Sequence, residues 1–172
     1  MHILEYLFPR QCLICSRVGF DICDKCFTTI KHTLPECFVC NKLSNGYRCH
    51  KKCFNISVQC LTGWYLTKSL RLNLDKQKSL QIYSSYIYLL NKLVSGIQLD
   101  NYKIYPLSST RNQRINDYLA SFLRKGIDRN NQKNVLIIGE YIDDINSFKK
   151  QITEFSLKEP GDIKAILLFK NS

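Results

Sequence analysis

Two hydrophobic rhythms alternate through the second half of the chain. Residues 134–138 (NVLII) and 163–169 (IKAILLF) are short, nearly unbroken apolar runs, the pattern of strands covered on both faces. Residues 102–106 (YKIYP) read as a third strand that leaves into a loop at Pro106. Between these runs the apolar positions recur every three or four residues. Ile115, Leu119, Phe122 and Leu123 share one side of a helix over 111–125, and Ile145, Phe148, Ile152 and Phe155 one side of a helix over 143–157. Ser109 or Thr110 is placed to cap the first of these helices, and Gly161 ends the turn after the second. Upstream, Leu80, Tyr83, Ile87, Leu90 and Val94 predict a helix over 79–95, with Gly96 as its stop. The stretch LTGWYLTKSLRL before it suits either a short strand or a helix.

The β-α-β-α-β succession predicts an α/β fold with a small parallel sheet and right-handed crossovers. Three strands and the 79–95 helix make a thin core. Packing against the preceding residues, or against a partner, would thicken it.

Those preceding residues carry a different signal. Eight of nine cysteines form four close pairs: Cys12/Cys15, Cys23/Cys26 and Cys37/Cys40 at C-x2-C spacing, and Cys49/Cys53 at C-x3-C. Cys60 is the ninth, and none follows it. A C-x2-C turn aims two sulfurs at one tetrahedral ion, and a second turn after a short loop completes the set. Sequential pairing predicts one Zn2+ on Cys12, Cys15, Cys23 and Cys26 and a second on Cys37, Cys40, Cys49 and Cys53, although interleaved ligation also fits the spacing. The pattern repeats with a period of roughly 25 residues. His32 or His50 could replace a ligand, and His50, directly after Cys49, is the better placed. Residues 1–55 are too few to fold on apolar burial alone, and bound metal would supply the missing stability.

The rival is a secreted disulfide framework. An odd number of cysteines suits it poorly. The start, MHILEYLFPRQCLIC, has Glu5 and Arg10 breaking a short apolar stretch, unlike a secretory signal. No apolar run approaches the roughly 20 residues of a membrane-spanning helix. The expected location is therefore the cytoplasm, where thiols stay reduced. Zinc also fits the spacing better than an iron–sulfur cluster.

The formal net charge is +11. Eight thiolates and two zinc ions would bring it to about +7, which is still basic. Residues 41–78 carry Lys42, Arg48, Lys51, Lys52, Lys68, Arg71, Lys76 and Lys78 against a single acid, Asp75. Such a segment attracts polyanions. Trp64 beside Lys68 and Arg71 could add a base-stacking surface, or could simply pack the cysteine-rich module against the sheet. Lys51, Lys52, Trp64, Lys68 and Arg71 are thus the candidate nucleic-acid contacts, with single- or double-stranded DNA as the candidate ligand.

In an open parallel sheet, ligands sit beyond the carboxyl ends of the strands. One qualifying loop holds Ser108, Ser109, Thr110 and Arg111, ordinary phosphate contacts and equally ordinary turn residues. The other reads GEYIDDINSF, with Gly139 for the turn and Glu140, Asp143 and Asp144 before a helix. Acids there act as caps, or hold Mg2+. A bare phosphate would be repelled. The histidines, His2, His32 and His50, all lie in or near the cysteine region, so no nucleophilic or acid–base set is assembled and no catalytic residue is named.

The order of parts resembles the ComF family: cysteine pairs, a basic linker, a strand running into a Pro-containing loop, and a closing β-α-β unit. The family's R-G-F-N-Q motif is reduced to Arg111, Asn112 and Gln113, and its D-D-x-x-T-T-G loop is altered. After VLII its two acids become Gly139 and Glu140, and T-T-G becomes Asp143, Asp144 and Ile145. A segment usual in the family before this strand is shortened between residues 126 and 134. The resemblance implies a double-zinc module over 1–55, a basic linker and helix over 56–98, and a truncated phosphoribosyltransferase-like domain over 99–172. It also implies a part in DNA uptake during natural transformation, with a competence-machinery protein as a further partner. Two carboxylates in place of hydroxyls, and β-branched Ile145 in place of glycine, invert the loop that would hold phosphoribosyl pyrophosphate. The expectation is a non-catalytic zinc protein. The alternatives are an active phosphoribosyltransferase using Mg2+, or a degenerate member with little independent function.

Overall fold

The computed structural model describes residues 9–125, 127, 132–159 and 161–171. Four parallel strands, β1 (Val58–Leu66), β2 (Tyr102–Pro106), β3 (Asn134–Gly139) and β4 (Ile163–Asn171), form one sheet in the order β1-β4-β3-β2. The three strands expected from the apolar runs are present. The fourth is β1, which takes in the first half of the stretch that suited strand or helix, and it pairs with β4 from Val58↔Ile163 to Leu66↔Asn171.

The ambiguous stretch holds both forms in succession. After β1, Thr67 adopts an extended conformation and its side chain accepts the Leu70 N–H, opening helix α2 (Lys68–Ser79). A short helix α1 (Asp24–Phe27) lies earlier, capped by Cys23 and containing Cys26. The helix predicted over 79–95 begins later, as α3 (Ser84–Val94). Leu80 caps α2 and is 60% exposed, and Gln81 sits at φ +58, which breaks the helical path before α3. Helices α4 (Gln113–Arg124) and α5 (Ile145–Lys158) follow where their periodicity placed them. The α4 start is tied by a reciprocal pair: Ser109 Oγ accepts the Asn112 N–H at 2.8 Å, and Gln113 Oε1 accepts the Ser109 N–H at 3.0 Å.

Both sheet faces are covered. On one, Leu70 and Leu74 of α2, Tyr86, Leu89 and Leu90 of α3, and Ile115, Leu119 and Leu123 of α4 form a single core with Leu13, Ile22 and Ile30. On the other, Phe148 and Ile152 of α5 pack on Val58, Val135, Ile137 and Leu167, with Phe38, Phe54 and Ile56 closing over them. Each such fully buried side chain contributes about 2–3 kcal/mol of burial. The cysteine-rich residues therefore thicken both halves of the core.

They also cover the outer edge of β1. Thr33 N–H donates to Gly63 O at 3.0 Å, Tyr65 N–H to Lys31 O at 2.9 Å and Cys49 N–H to Val58 O at 3.0 Å. An otherwise open strand edge is thereby satisfied. Gly139 serves close approach and not a turn: a Cβ there would lie 2.6 Å from the Leu107 Cβ.

Candidate metal centres and the carboxyl-end loops

Both knuckle units are built from the same backbone device, displaced by 25 to 27 residues. Cys12 N–H donates to Arg17 O and Cys37 N–H to Lys42 O; Ser16 N–H donates to Cys12 O and Asn41 N–H to Cys37 O. Ser16 and Asn41 both sit in the left-handed region, at φ 60 and 56. Short antiparallel bridges close each turn, Gln11 with Val18 and Glu36 with Leu43. These turns aim the sulfurs of each C-x2-C pair to the same side.

In the first unit the Sγ atoms of Cys12, Cys15, Cys23 and Cys26 all lie within 4.8 Å of one another. Cys15 and Cys23 are 3.7 Å apart. Four thiolates about 2.3 Å from zinc define a tetrahedron with edges of about 3.8 Å, whereas a disulfide would need about 2.05 Å.

The second unit gathers a different set from the one expected by sequential pairing. Its mutually close atoms are Cys37, Cys40, His50 and Cys53, again within 4.8 Å. Cys49 stands 3.4 Å from Cys37 Sγ but outside this group of four, and its thiol points to the His50 carbonyl at 3.8 Å. His50 Nδ1 lies 3.3 Å from Cys40 Sγ, close to the sulfur–nitrogen edge of about 3.6 Å in a zinc tetrahedron. Its Nε2 is 3.1 Å from Leu43 O, so Nε2–H donates and Nδ1 keeps the free lone pair that a metal takes. The repeat reveals the reason. His50 and Cys53 are separated by two residues, as Cys23 and Cys26 are, so His50 occupies the third position of the knuckle. That H-x2-C spacing was visible in the sequence, where the adjacent cysteine masked it.

Electrostatics repeat as well. Burial pulls the Cys12 thiol upward, but N–H groups of Cys15, Cys23 and Ile14 outweigh it and bring the pKa down to about 6. Burial is likewise outweighed at Cys37 by N–H groups of His50, Cys40 and Val39, again to about 6. In the first unit, burial and neighbouring thiols push Cys26 up to about 12. Burial and the Cys40 and Cys37 thiols push Cys53 upward in the second. Such clusters cannot ionise fully without a cation between the sulfurs. Both donor sets fit a soft divalent metal, and Zn2+ bound there would tie each knuckle into a closed loop. Cys60 is 1% exposed, burial drives its thiol upward, and it packs in the α5-side core.

The candidate nucleic-acid residues separate into two groups. Lys51 and Lys52 are exposed on the second knuckle, whose Cys49 N–H anchors it at Val58. Lys68 and Arg71 lie at the start of α2, beyond the other end of β1, roughly 26 Å along the strand. Arg71 stacks over the Tyr141 ring at 5.6 Å. Trp64 cannot offer a face to a base. It is 1% exposed and meets Phe27 and His32 at ring separations of 5.7 and 5.5 Å, joining the first knuckle to the sheet. Burial takes the indole out of reach of a base, and His32, itself exposed, lies against it and in neither donor cluster.

At the carboxyl ends of β2 and β3 the chain's own acids sit on the loop donors. Asp143 Oδ2 accepts Ser109 Oγ–H at 2.7 Å, Thr110 Oγ1–H at 3.5 Å and Arg111 N–H at 3.3 Å. Asp144 caps α5, accepting the N–H groups of Asn146 at 3.0 Å and Ser147 at 3.1 Å. The Ser147 hydroxyl and those N–H groups hold its carboxyl below the usual range. Ser108 N–H donates to Gln151 Oε1 at 3.0 Å. Glu140 turns inward and is 1% exposed: Oε2 meets Lys78 Nζ at 2.8 Å, Oε1 accepts Tyr86 OH at 3.0 Å, and its N–H donates to Asn116 Oδ1 at 2.8 Å. Burial lowers the Lys78 value, but the Glu140 charge and hydrogen bonds outweigh it and raise it. Burial of Glu140 in turn outweighs Lys78 and Tyr86 and raises its carboxyl. Sequence reasoning missed Lys78, Tyr86 and Asn116, which no local spacing connects to Glu140.

A cavity of about 490 Å³ lies between the second knuckle and the α5 start, lined by residues including Glu36, Phe38, Asp143, Asp144, Phe169 and Lys170. Lys170 is paired with Glu36. Among the described residues, no helix is long and apolar enough to cross a membrane. In comparisons with protein families, curated proteins and solved structures, nothing matches this chain.

Proposed function

We propose that this chain is a zinc-containing, non-catalytic nucleic-acid-binding protein of the ComF type, in which a phosphoribosyltransferase-like sheet serves as scaffold for two metal-tied knuckles. The observation that carries the reading is the fate of the two carboxyl-end loops. Asp143 and Asp144 occupy the hydroxyl and N–H donors a phosphate would need. Glu140, at the position of the family's second acid, is committed to Lys78 and Tyr86. A Mg2+–pyrophosphate ligand would have to break those contacts first. The candidate metal clusters remain open to an ion: each offers four convergent donors, at least three of them cysteine sulfurs. The proposed ligands are Cys12, Cys15, Cys23 and Cys26 for one ion and Cys37, Cys40, His50 and Cys53 for the other. The basic charge supports a polyanionic partner. A place in DNA uptake, a competence-protein partner and a cytoplasmic location rest on the family resemblance and on the reduced-thiol argument.

The 490 Å³ cavity favours the second reading, a small-molecule site of transferase descent. Calorimetry with phosphoribosyl pyrophosphate and Mg2+ separates the two: no heat at millimolar ligand supports the first reading, and saturable binding refutes it. Native mass spectrometry of freshly reduced protein should find two zinc ions per chain. Salt-sensitive oligonucleotide binding completes the test, and affinity unchanged between low and high salt removes the nucleic-acid part.

A further inference from the structure

The second knuckle carries exposed cations and packs against a helix from the far end of the chain. Between Cys37 and Leu74 the sequence holds no carboxylate. Lys42, Arg48, Lys51 and Lys52 are all exposed there. Directly after Cys53, the Phe54 ring packs edge-on to Phe38 at 6.2 Å, and Phe38 in turn on Phe148 of α5 at 5.1 Å. This aromatic chain seats the knuckle on α5 and brings Lys149 Nζ 5.9 Å from the Phe54 ring centre. A lysine almost a hundred positions away in sequence thus joins Lys51 and Lys52. The two acids just before α5 are engaged elsewhere, Asp144 as the helix cap and Asp143 with Ser109.

The same loop presents an aromatic in an uncommon backbone state. Tyr47, between Lys42 and Arg48, sits at φ +61, where a bulky side chain is disfavoured. Gln59 of β1 fastens the turn by donating to Gly46 O at 2.8 Å. Tyr47 remains partly exposed. With Trp64 buried, Tyr47 offers a partly exposed ring next to Arg48 in this cation-bearing loop. Cations that follow a backbone, together with an aromatic platform, are the elements of single-strand recognition.

We propose that the second knuckle and the start of α5 form one single-stranded nucleic-acid interface, with Lys51, Lys52 and Lys149 on phosphates and Tyr47 stacking on a base. The inference rests on the nucleic-acid reading above and gives it a location, away from Lys68 and Arg71.

The test is fluorescence anisotropy of the zinc-loaded full chain with a labelled oligothymidylate, titrated over a range of salt. K149E lies outside the metal loop and is compared with K158E on the same helix. K51E/K52E is compared with K68E/K76E on α2, with two zinc ions verified in each. Each lost phosphate contact should flatten the log–log salt slope by about 0.7, so K149E and K51E/K52E should flatten it and both controls should not. Y47A should weaken binding about fivefold or more, with the slope unchanged, and Y47F should retain affinity. If wild-type protein shows no salt-sensitive binding, the nucleic-acid reading itself falls. If it binds but K149E is no worse than K158E, that reading stands and this location is overturned. Full affinity in Y47A, or equal affinity for duplex, overturns the single-strand assignment.

Discussion

Replacing Lys78 by methionine asks whether Glu140 belongs to the fold or to a ligand site. The two side chains meet at 2.8 Å, with 23% of the lysine side chain and 1% of the glutamate side chain exposed. Methionine keeps the stem volume and removes the charge, leaving a carboxylate buried with the Tyr86 hydroxyl as its side-chain partner. Breaking a buried pair from one side costs about 3–5 kcal/mol. Lys78 is partly solvated and also contacts Asp75 at 3.2 Å, which places the expected loss at the low end, about 3 kcal/mol. For a chain of this size that lowers Tm by about 6–12 °C. The sign with pH is definite. Burial already raises Glu140 above its ordinary value of 4.5, and removing Lys78 removes the charge that opposes this. A raised carboxyl makes the native state hold a proton that the unfolded chain has released, so its stability falls as pH rises through that window. The K78M deficit should therefore be larger at pH 7.5 than at pH 5. Thermal unfolding of zinc-loaded protein, followed by circular dichroism at both values, measures it. K78M/E140Q should recover much of the loss, and K76M, on an exposed lysine, should cost little. A K78M Tm within about 2 °C of wild type at pH 7.5 would refute the structural assignment of Glu140.

Metal stoichiometry by native mass spectrometry should stay at two in C49S and fall to one in H50A or C53S; one ion in C49S and two in H50A would restore the sequential all-cysteine set. W64A should cost about 3–5 kcal/mol in denaturant unfolding. W64F should cost far less, because the indole Nε1 has no hydrogen-bond partner to lose, and neither change should alter the salt slope of oligonucleotide binding. D144A should lower Tm at neutral pH while D144S holds it. Because its folded pKa is depressed below 3.8, the Asp144 contribution should be present above that value and disappear as pH falls through the lowered one; equal Tm values for wild type and D144A at pH 7 would show that the cap contributes nothing.

Several features were legible in the residues alone because they depend on local spacing. Apolar runs fix 134–138 and 163–169 as covered strands whatever surrounds them. The period of Ile145, Phe148, Ile152 and Phe155 marks α5 in the same way. C-x2-C turns converge because the backbone between two such cysteines has few conformations available. Periodicity over 79–95 overextends the helix, since Leu80 matches the period while Gln81, a residue with no intrinsic turn preference, leaves the helical region.

What only the folded chain decided is a matter of which distant groups share one volume. Within the ambiguous stretch 61–72, residues 61–66 became strand because β4 offered a partner edge. Trp64 was as plausible at a surface as inside until Phe27, His32 and the sheet closed around it. Glu140 became a structural anion because Lys78 and Tyr86 arrive from helices 50 or more positions away, a coincidence that no local pattern encodes. The mutually close donor group of the second unit includes His50 and not Cys49 for a geometric reason: two neighbouring side chains leave the backbone in different directions. Composition and period thus determined the elements and the clustering of donor side chains, while the packing of those elements determined which side chains were buried inside and which stayed exposed.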